Sequence, residues 1–114
     1  MKKKITFRYK KKKINLAVED CNILNKFVGL MFSRRENAKA LLFNFKNPTK
    51  IRLHSFFVFF NFLVIWLDDK NNILEIKLAK PFQVSISSNK FFHKIIEIPV
   101  NNKYSKIIEF LVGN

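Results

Sequence analysis

The residues of this chain that are best suited to chemistry are cationic. Arg34 and Arg35 are adjacent, and Arg52 and His54 immediately precede an aromatic run. An arginine guanidinium is a planar fork of donors that matches a carboxylate or a phosphate. If the two segments meet in the fold, the four side chains form an anion-binding rim beside an apolar cleft. The alternative, an ordinary solvated surface, stays open at this point.

The amino terminus carries a second cationic group. Lys2–Lys4, Arg8 and Lys10–Lys13 supply eight positive charges without an acid between them, whereas the rest of the chain balances to +6 of the total +14. Such a field attracts polyanions. A composition skewed toward Lys, Asn, Ile and Phe, as an AT-rich coding sequence gives, is the competing explanation. The residues that would contact a nucleic acid are Lys10, Lys11, Lys12 and Lys13.

No set of catalytic residues can be assembled from the sequence. Cys21 follows two acids, Glu19 and Asp20, and acidic neighbours disfavour the reactive thiolate. His54 and Ser55 are adjacent, so they would point to opposite faces of a strand. No spacing of His, Cys and acids is typical of a metal site, and two glycines are too few for a phosphate-binding loop. We therefore predict a non-catalytic binding protein without a metal or a cofactor, whose ligand is a small anion or an acidic partner.

Hydrophobic periodicity predicts mostly strands. Alternating apolar residues indicate a hairpin of two strands that begin at Ile5 and Ile14. Spacing of i, i+3, i+4, i+7 from Leu24 and again from Tyr104 predicts two short helices. The remaining predicted strands are Ala40–Phe45, Ile51–Phe60, Phe62–Leu67, Ile73–Leu78 and Phe91–Pro99.

The apolar run Phe56–Leu67 contains five Phe and one Trp and is interrupted only by Asn61. A membrane-spanning helix needs ~20 apolar residues, so this run predicts a buried centre rather than a membrane span. We expect one domain over residues 1–114, with a basic strand and hairpin connection in 1–13 and the core in 14–114. The single cysteine and the absence of an apolar signal segment predict a cytoplasmic protein.

Several short motifs occur in a fixed order between Ile14 and Asn114. They are Gly29–Phe32 (GLMF), Ala40–Phe45 (ALLFNF), Leu53–Phe60 (LHSFFVFF), Val64–Asp68 (VIWLD), Ile73–Ile76 (ILEI), Lys80–Phe82 (KPF), Ile96–Pro99 (IEIP), Lys106–Glu109 (KIIE) and Val112–Asn114 (VGN). In this order they resemble domain-of-unknown-function family 192, also called uncharacterised protein family 0127, and its archaeal branch in particular.

The resemblance implies an α+β fold, with a β-rich curled antiparallel sheet or partly closed barrel and two short helices. It implies no established activity. One position departs from the family pattern, because Leu63 stands where the family usually has an acid. If that acid serves a ligand, this chain lacks part of the site; if it is structural, Leu63 is packed in its place.

Overall fold

Six strands form one strongly curled, half-barrel sheet in this computed structural model, which describes residues 2–21, 30, 33–55 and 57–113. Their order across the sheet is β1-β2-β3-β6-β4-β5. The β-rich, curled architecture predicted above is confirmed. The strands are β1 (Lys2–Tyr9), β2 (Lys12–Cys21), β3 (Leu41–Thr49), β4 (Phe62–Leu67), β5 (Ile73–Ala79) and β6 (Phe92–Pro99).

The two edges of the sheet approach each other at one end. Arg8 in β1 forms an isolated parallel bridge with Asn72, which immediately precedes β5. The side chain of Asn71 donates a hydrogen bond from Nδ2 to the backbone oxygen of Thr6, at 3.1 Å. Because β1 and β5 are the outermost strands, these contacts curl the sheet around one apolar interior.

The sheet is mixed, and the predicted antiparallel arrangement is wrong for one pair. β2 and β3 run parallel, with Glu19–Cys21 opposite Leu41–Phe43. Parallel neighbours require a crossover connection, which a tight hairpin turn cannot supply. The long segment 22–40 provides that length, and the other strand pairs are antiparallel.

The inner face of the sheet is closed by the C-terminal part of the chain. A 3₁₀ turn (Asn102–Tyr104) leads into a helix, α1 (Ser105–Val112), at the position that the sequence predicts. The Tyr104 hydroxyl accepts a hydrogen bond of 2.8 Å from the backbone N–H of Ala40. The predicted helix from Leu24 falls mainly in 22–29, outside the described residues. Within the described residues, no helix is long and apolar enough to cross a membrane.

β4 is the most buried strand of the sheet, because all six of its residues are buried. Leu63, Ile65 and Leu67 point into the inner core. Phe62, Val64 and Trp66 point outward and are covered by the loops on the other face. A strand buried on both faces reads as a continuous apolar run, as this one does.

The predicted strand Ile51–Phe60 is wrong. Among the described residues 51–55 and 57–60, only Leu53 pairs, in an isolated bridge with Ile86. Phe57 has φ 61°, which an extended strand does not allow, and both Phe57 and Phe59 are exposed. Aromatic residues favour strands, but they also suit a loop whose alternate side chains cover a sheet. Val58 and Phe60 cover the outer face of the sheet in this way.

The burial of Leu63 predicts a measurable cost for its truncation. Leu63→Ala should lower the free energy of unfolding by about 2–5 kcal/mol, because it leaves a cavity in the inner core. Leu78, its partner across β4 and β5, is about half exposed and provides the control. Leu78→Ala should cost about 1 kcal/mol or less. Urea unfolding checks both values, and equal losses would contradict the assignment of Leu63 to the core.

Candidate anion-binding site

A tight turn presents Arg34 to solvent. The backbone oxygen of Arg34 accepts hydrogen bonds from the N–H groups of Asn37 and Ala38, at 3.1 and 2.9 Å. Ala38 is buried against the outer core, whereas the Arg34 side chain is exposed. The turn is therefore anchored by its small apolar residue, and its charged residue is left at the rim.

Arg34 lines a cavity of about 280 Å³ between this turn and the sheet, which we call the Arg34 cleft. Leu30 and Leu41 give it apolar walls, and Ser33 and Asn37 add polar groups. The residues that line it are Glu19, Leu30, Ser33, Arg34, Asn37, Ala38, Lys39 and Leu41. The cleft thus combines an apolar wall with cationic side chains.

The charges of the Arg34 cleft favour an anion. Glu19 is the one acid among the described residues that line it, and its Oε1 lies 3.7 Å from Nζ of Lys39. Arg34 forms no ion pair with the residues that the structure describes. Its guanidinium fork remains available to a carboxylate or phosphate.

Arg35 lines a different and larger cavity, of about 640 Å³. Lys103 adds a second cation there, but Glu36 and Glu109 balance both charges. The backbone oxygen of Arg35 accepts a 2.8 Å hydrogen bond from Nδ2 of Asn101, which ties the turn to the segment that precedes α1. Arg34 and Arg35 therefore face different surroundings although they are adjacent.

Arg52 and His54 lie on either side of Leu53 and are both exposed. The backbone of Leu53 exchanges two hydrogen bonds of 2.8 Å with Ile86, which fixes this short extended piece on the outer face. Neither Arg52 nor His54 lines the Arg34 cleft or the cavity beside Arg35. The convergence of all four side chains on one concavity stays a prediction.

Glu97 is a feature that the sequence reasoning missed. It lies in β6 opposite Leu41 on one side and Val64 on the other, so it shares the outer face of the sheet with the wall of the Arg34 cleft. It is buried, and desolvation raises the pKa of its carboxyl from 4.5 to about 7. An acid inside the apolar strand of Ile95, Ile96 and Ile98 is the sequence signal that could have revealed it.

That Cys21 is unreactive stays a prediction, which its surroundings support. Burial raises the pKa of its thiol to about 11, and the charges of Glu97, Asp20 and Glu19 add to that effect. A thiol with this pKa is almost entirely protonated at neutral pH and is a poor nucleophile. Within the described residues, no three His, Cys, Asp or Glu side chains form a group that could hold a metal ion.

The predicted polar turn after β4 is confirmed, and Asp68 organises it. Its Oδ1 accepts backbone hydrogen bonds from Lys70 and Asn72, at 2.9 and 2.8 Å. Desolvation tends to raise the pKa of this carboxyl, but the hydrogen bonds from Asn72 and Lys70 outweigh it and lower the pKa. Asp68 therefore supports a turn, as Asp commonly does.

The basic hairpin has its turn at Lys10 and Lys11, with φ values of 50° and 65°. Two consecutive positive φ values are typical of a type I′ turn, in which Asn-Gly is the favoured pair. Lys12 and Lys13 already belong to β2, and Nζ of Lys12 lies 5.2 Å from the centroid of the Phe110 ring. The hairpin therefore projects its charges beside α1 rather than toward the Arg34 cleft.

The sequence of this chain matches the model of family DUF192, described as an uncharacterized ACR, over residues 5–107. The chain belongs to the DUF192 family. The resemblance inferred from the motifs is thereby confirmed, and no curated protein matches the chain. The family label brings no activity with it.

Two solved structures are similar to this DUF192 chain. One is a proposed transcription regulator from Sinorhizobium meliloti 1021, with a TM-score of 0.74 and 18% identity over 90% of this chain and 81% of that one. The other is a protein of unknown function from Novosphingobium aromaticivorans DSM 12444, with a TM-score of 0.75 and 13% identity over 93% and 78%. At these identities the likeness establishes the fold alone.

The burial of Glu97 predicts a pH dependence of stability. A carboxyl whose pKa is raised on folding favours the folded state below about pH 4.5, and this contribution is lost as the pH rises through about 7. Glu97→Gln should remove that dependence and make the protein more stable at pH 8, by about 3 kcal/mol for a shift of this size. Urea unfolding at pH 4.5 and pH 8 measures it.

Glu75 provides the matched control, because its carboxyl is hydrogen-bonded and its pKa is lowered rather than raised. Glu75→Gln should not stabilise the protein at pH 8. If Glu97→Gln gives the same difference between the two pH values as the wild-type protein, the pKa of Glu97 is not raised by burial.

Proposed function

We propose that this DUF192 protein is a non-catalytic binding module that holds a small anion, or an acidic side chain of a partner protein, in the Arg34 cleft. The observation that supports it best is the charge arrangement. Glu19 is engaged with Lys39, so Arg34 faces the cleft without an ion-pair partner among the described residues. Arg35, Arg52 and His54 lie outside this cleft and would contribute only to the longer-range positive field around it.

The size and the lining of the cleft restrict the class of ligand that it can hold. Its volume of about 280 Å³ lies just below the range of typical small-molecule sites, which is ~300–1,000 Å³. The leucine walls suit a short apolar portion, and the guanidinium suits a carboxylate or phosphate. The ligand class is therefore a compact anion with an apolar end, which also describes an acidic residue of a protein.

Binding without catalysis is the function that the site geometry supports best. General acid–base chemistry requires a titratable group within roughly 2.6–3.2 Å of the reacting atom. Glu97 has a pKa of about 7, which suits such a role, but it does not line the Arg34 cleft. Lys39 and Glu19 pair with each other at the rim.

The proposal predicts that Arg34 controls anion affinity. Titrations with inorganic phosphate and with butyrate, followed by amide NMR shifts, should perturb Ser33, Asn37 and Lys39. Arg34→Ala should weaken binding about tenfold, because it removes a hydrogen bond to a charged group. Arg34→Lys should retain part of the affinity, since it keeps the charge but loses the fork.

Arg8→Ala is the matched control, since Arg8 is an exposed arginine outside the cleft. It should leave both affinities unchanged. Equal losses in the two alanine variants would indicate general electrostatics, and shifts confined to another surface would contradict the proposed site.

A second candidate function, nucleic-acid binding, is favoured by the hairpin. All four lysines from Lys10 to Lys13 are exposed, and Lys4 and Arg8 add charge on the outer face of β1. When lysines neutralise phosphates, condensed counterions are released, and this release favours binding. It requires exposed lysines rather than a pocket. One structural neighbour, from Sinorhizobium meliloti, is described as a proposed transcription regulator, which fits this alternative.

The turn geometry offers a clean test of that alternative. Lys10→Asn combined with Lys11→Gly removes two charges and suits the positive φ values, so the fold should be stabilised, by about 1 kcal/mol. If the hairpin contacts phosphates, the slope of log affinity against log salt for a DNA duplex should fall by about 1.8.

Lys46→Gln combined with Lys90→Gln removes the same charge from exposed positions elsewhere. It should leave that slope unchanged. An equal change in both double variants would show that only net charge matters.

A further inference from the structure

Three exposed phenylalanines form one apolar cluster on the outer face. Phe57, Phe59 and Phe82 are 47%, 59% and 48% exposed. The Phe82 ring lies 5.3 Å from the Phe59 ring and 6.4 Å from the Phe57 ring, in edge-to-face geometry. We call this group the phenylalanine knob. Clustered exposed apolar groups mark interaction sites more often than single ones do.

Two residues of the knob have an unfavourable backbone conformation. Phe57 has φ 61° and Phe82 has φ 59°, and bulky residues rarely adopt positive φ. Such a conformation costs free energy, and exposure of the rings to water costs more. Phe57 and Phe82 each combine an unfavourable backbone conformation with an exposed ring. An interaction that uses their projecting side chains accounts for this combination.

A hydrogen-bonded frame holds the knob in place. Ser55 is fully buried, its Oγ donates to the backbone oxygen of Lys80 at 2.6 Å, and the same Oγ accepts from the N–H of Gln83. The backbone of Ser55 also donates to the oxygen of Gln83 at 3.0 Å and accepts from the N–H of Phe82 at 2.9 Å. The two turns are thus tied together, and the rings project from a fixed base.

The charged residues nearest to the knob in sequence are all basic. No Asp or Glu occurs in residues 37–67 or 76–96, the two stretches that contain the knob and its frame. Arg52, His54 and Lys80, close to the knob in sequence, are exposed. An occupant of this surface must therefore be apolar where it meets the rings and anionic around them.

We propose that the phenylalanine knob inserts into the surface of an anionic lipid bilayer, with Arg52, His54 and Lys80 against the lipid headgroups. The three rings are exposed to solvent, so they suit a fluid apolar layer that needs no preformed pocket. The rings pack edge to face on one another, which favours their insertion as a unit over the stacking of successive bases. The negative charge of an anionic leaflet attracts cationic side chains.

Binding of this kind is reversible and depends on both contributions. Three partly inserted rings bury little apolar surface, so neutral lipid alone should hold the protein weakly. Attraction to anionic headgroups adds to it and is screened by salt. The protein would therefore be peripheral, since it lies on the bilayer without crossing it.

Vesicle sedimentation tests the proposal with the full chain. The protein should sediment with vesicles of phosphatidylglycerol and phosphatidylcholine in low salt, and much less with phosphatidylcholine alone. Phe59→Ser combined with Phe82→Ser should reduce the partition coefficient about tenfold or more, because each ring contributes through its buried area. Equal partition of the wild-type protein and this variant would overturn the proposal.

Phe91→Ser is the matched control. Phe91 is 63% exposed and lies beside a cation, with Nζ of Lys50 4.7 Å from its ring centroid. Phe91 immediately precedes the first residue of β6. Phe82 lies toward the opposite end of β6, because it closely follows Ala79, and Phe62 pairs with both Ala79 and Pro99. This variant should sediment like the wild-type protein, and a loss equal to that of the double variant would overturn the assignment to the knob.

Phe59→Trp gives a readout that does not depend on a destabilising change. Trp66 is buried, so a vesicle-dependent blue shift in the variant, absent in the wild-type protein, reports on position 59. We expect that shift with phosphatidylglycerol vesicles and quenching by brominated lipid. Absence of both signals would overturn the proposal. It would also be overturned if the protein bound no vesicles and Phe59→Ser combined with Phe82→Ser lowered its affinity for a single-stranded oligonucleotide.

Discussion

The exclusion of water from both faces of β4 is the constraint on which the rest of the structure depends. Each of its six residues is buried, so neither face can be left to solvent. The inner face is closed by the curl of the sheet and by α1, which Tyr104 ties to Ala40. The outer face is closed by loops, because no second sheet is present among the described residues.

The Arg34 cleft and the phenylalanine knob both arise from this covering of the outer face. Ala38 and Leu30 pack on it and place Arg34 at the rim of a cleft. Val58 and Phe60 pack on it and leave the intervening Phe59 exposed. Glu97 is buried beneath the same layer, which raises its pKa. A loop whose side chains point alternately inward and outward thus covers the core and, at the same time, exposes side chains that a ligand can contact.

Local periodicity was a good guide where an element depends on its own residues. The helix that follows Tyr104 was predictable because its spacing defines a buried face, and Phe62–Leu67 was predictable because a short continuous apolar run is typical of a strand buried on both faces. The same reasoning failed for Ile51–Phe60, since aromatic residues favour a strand and a covering loop alike. It also failed for the parallel pairing of β2 with β3, because strand direction depends on a distant crossover.

By itself, the sequence determined the apolar pattern of the core, the cationic balance and the absence of a phosphate-binding loop, because composition and spacing are local properties. Tertiary structure alone decided that Arg34, Lys39 and Glu19 meet at one cleft while Arg35 faces another. It also decided that Phe57, Phe59 and Phe82 form one cluster. The physical reason is that each group joins segments that are far apart in the chain, whose approach is set by the fold of the sheet rather than by their neighbours in sequence.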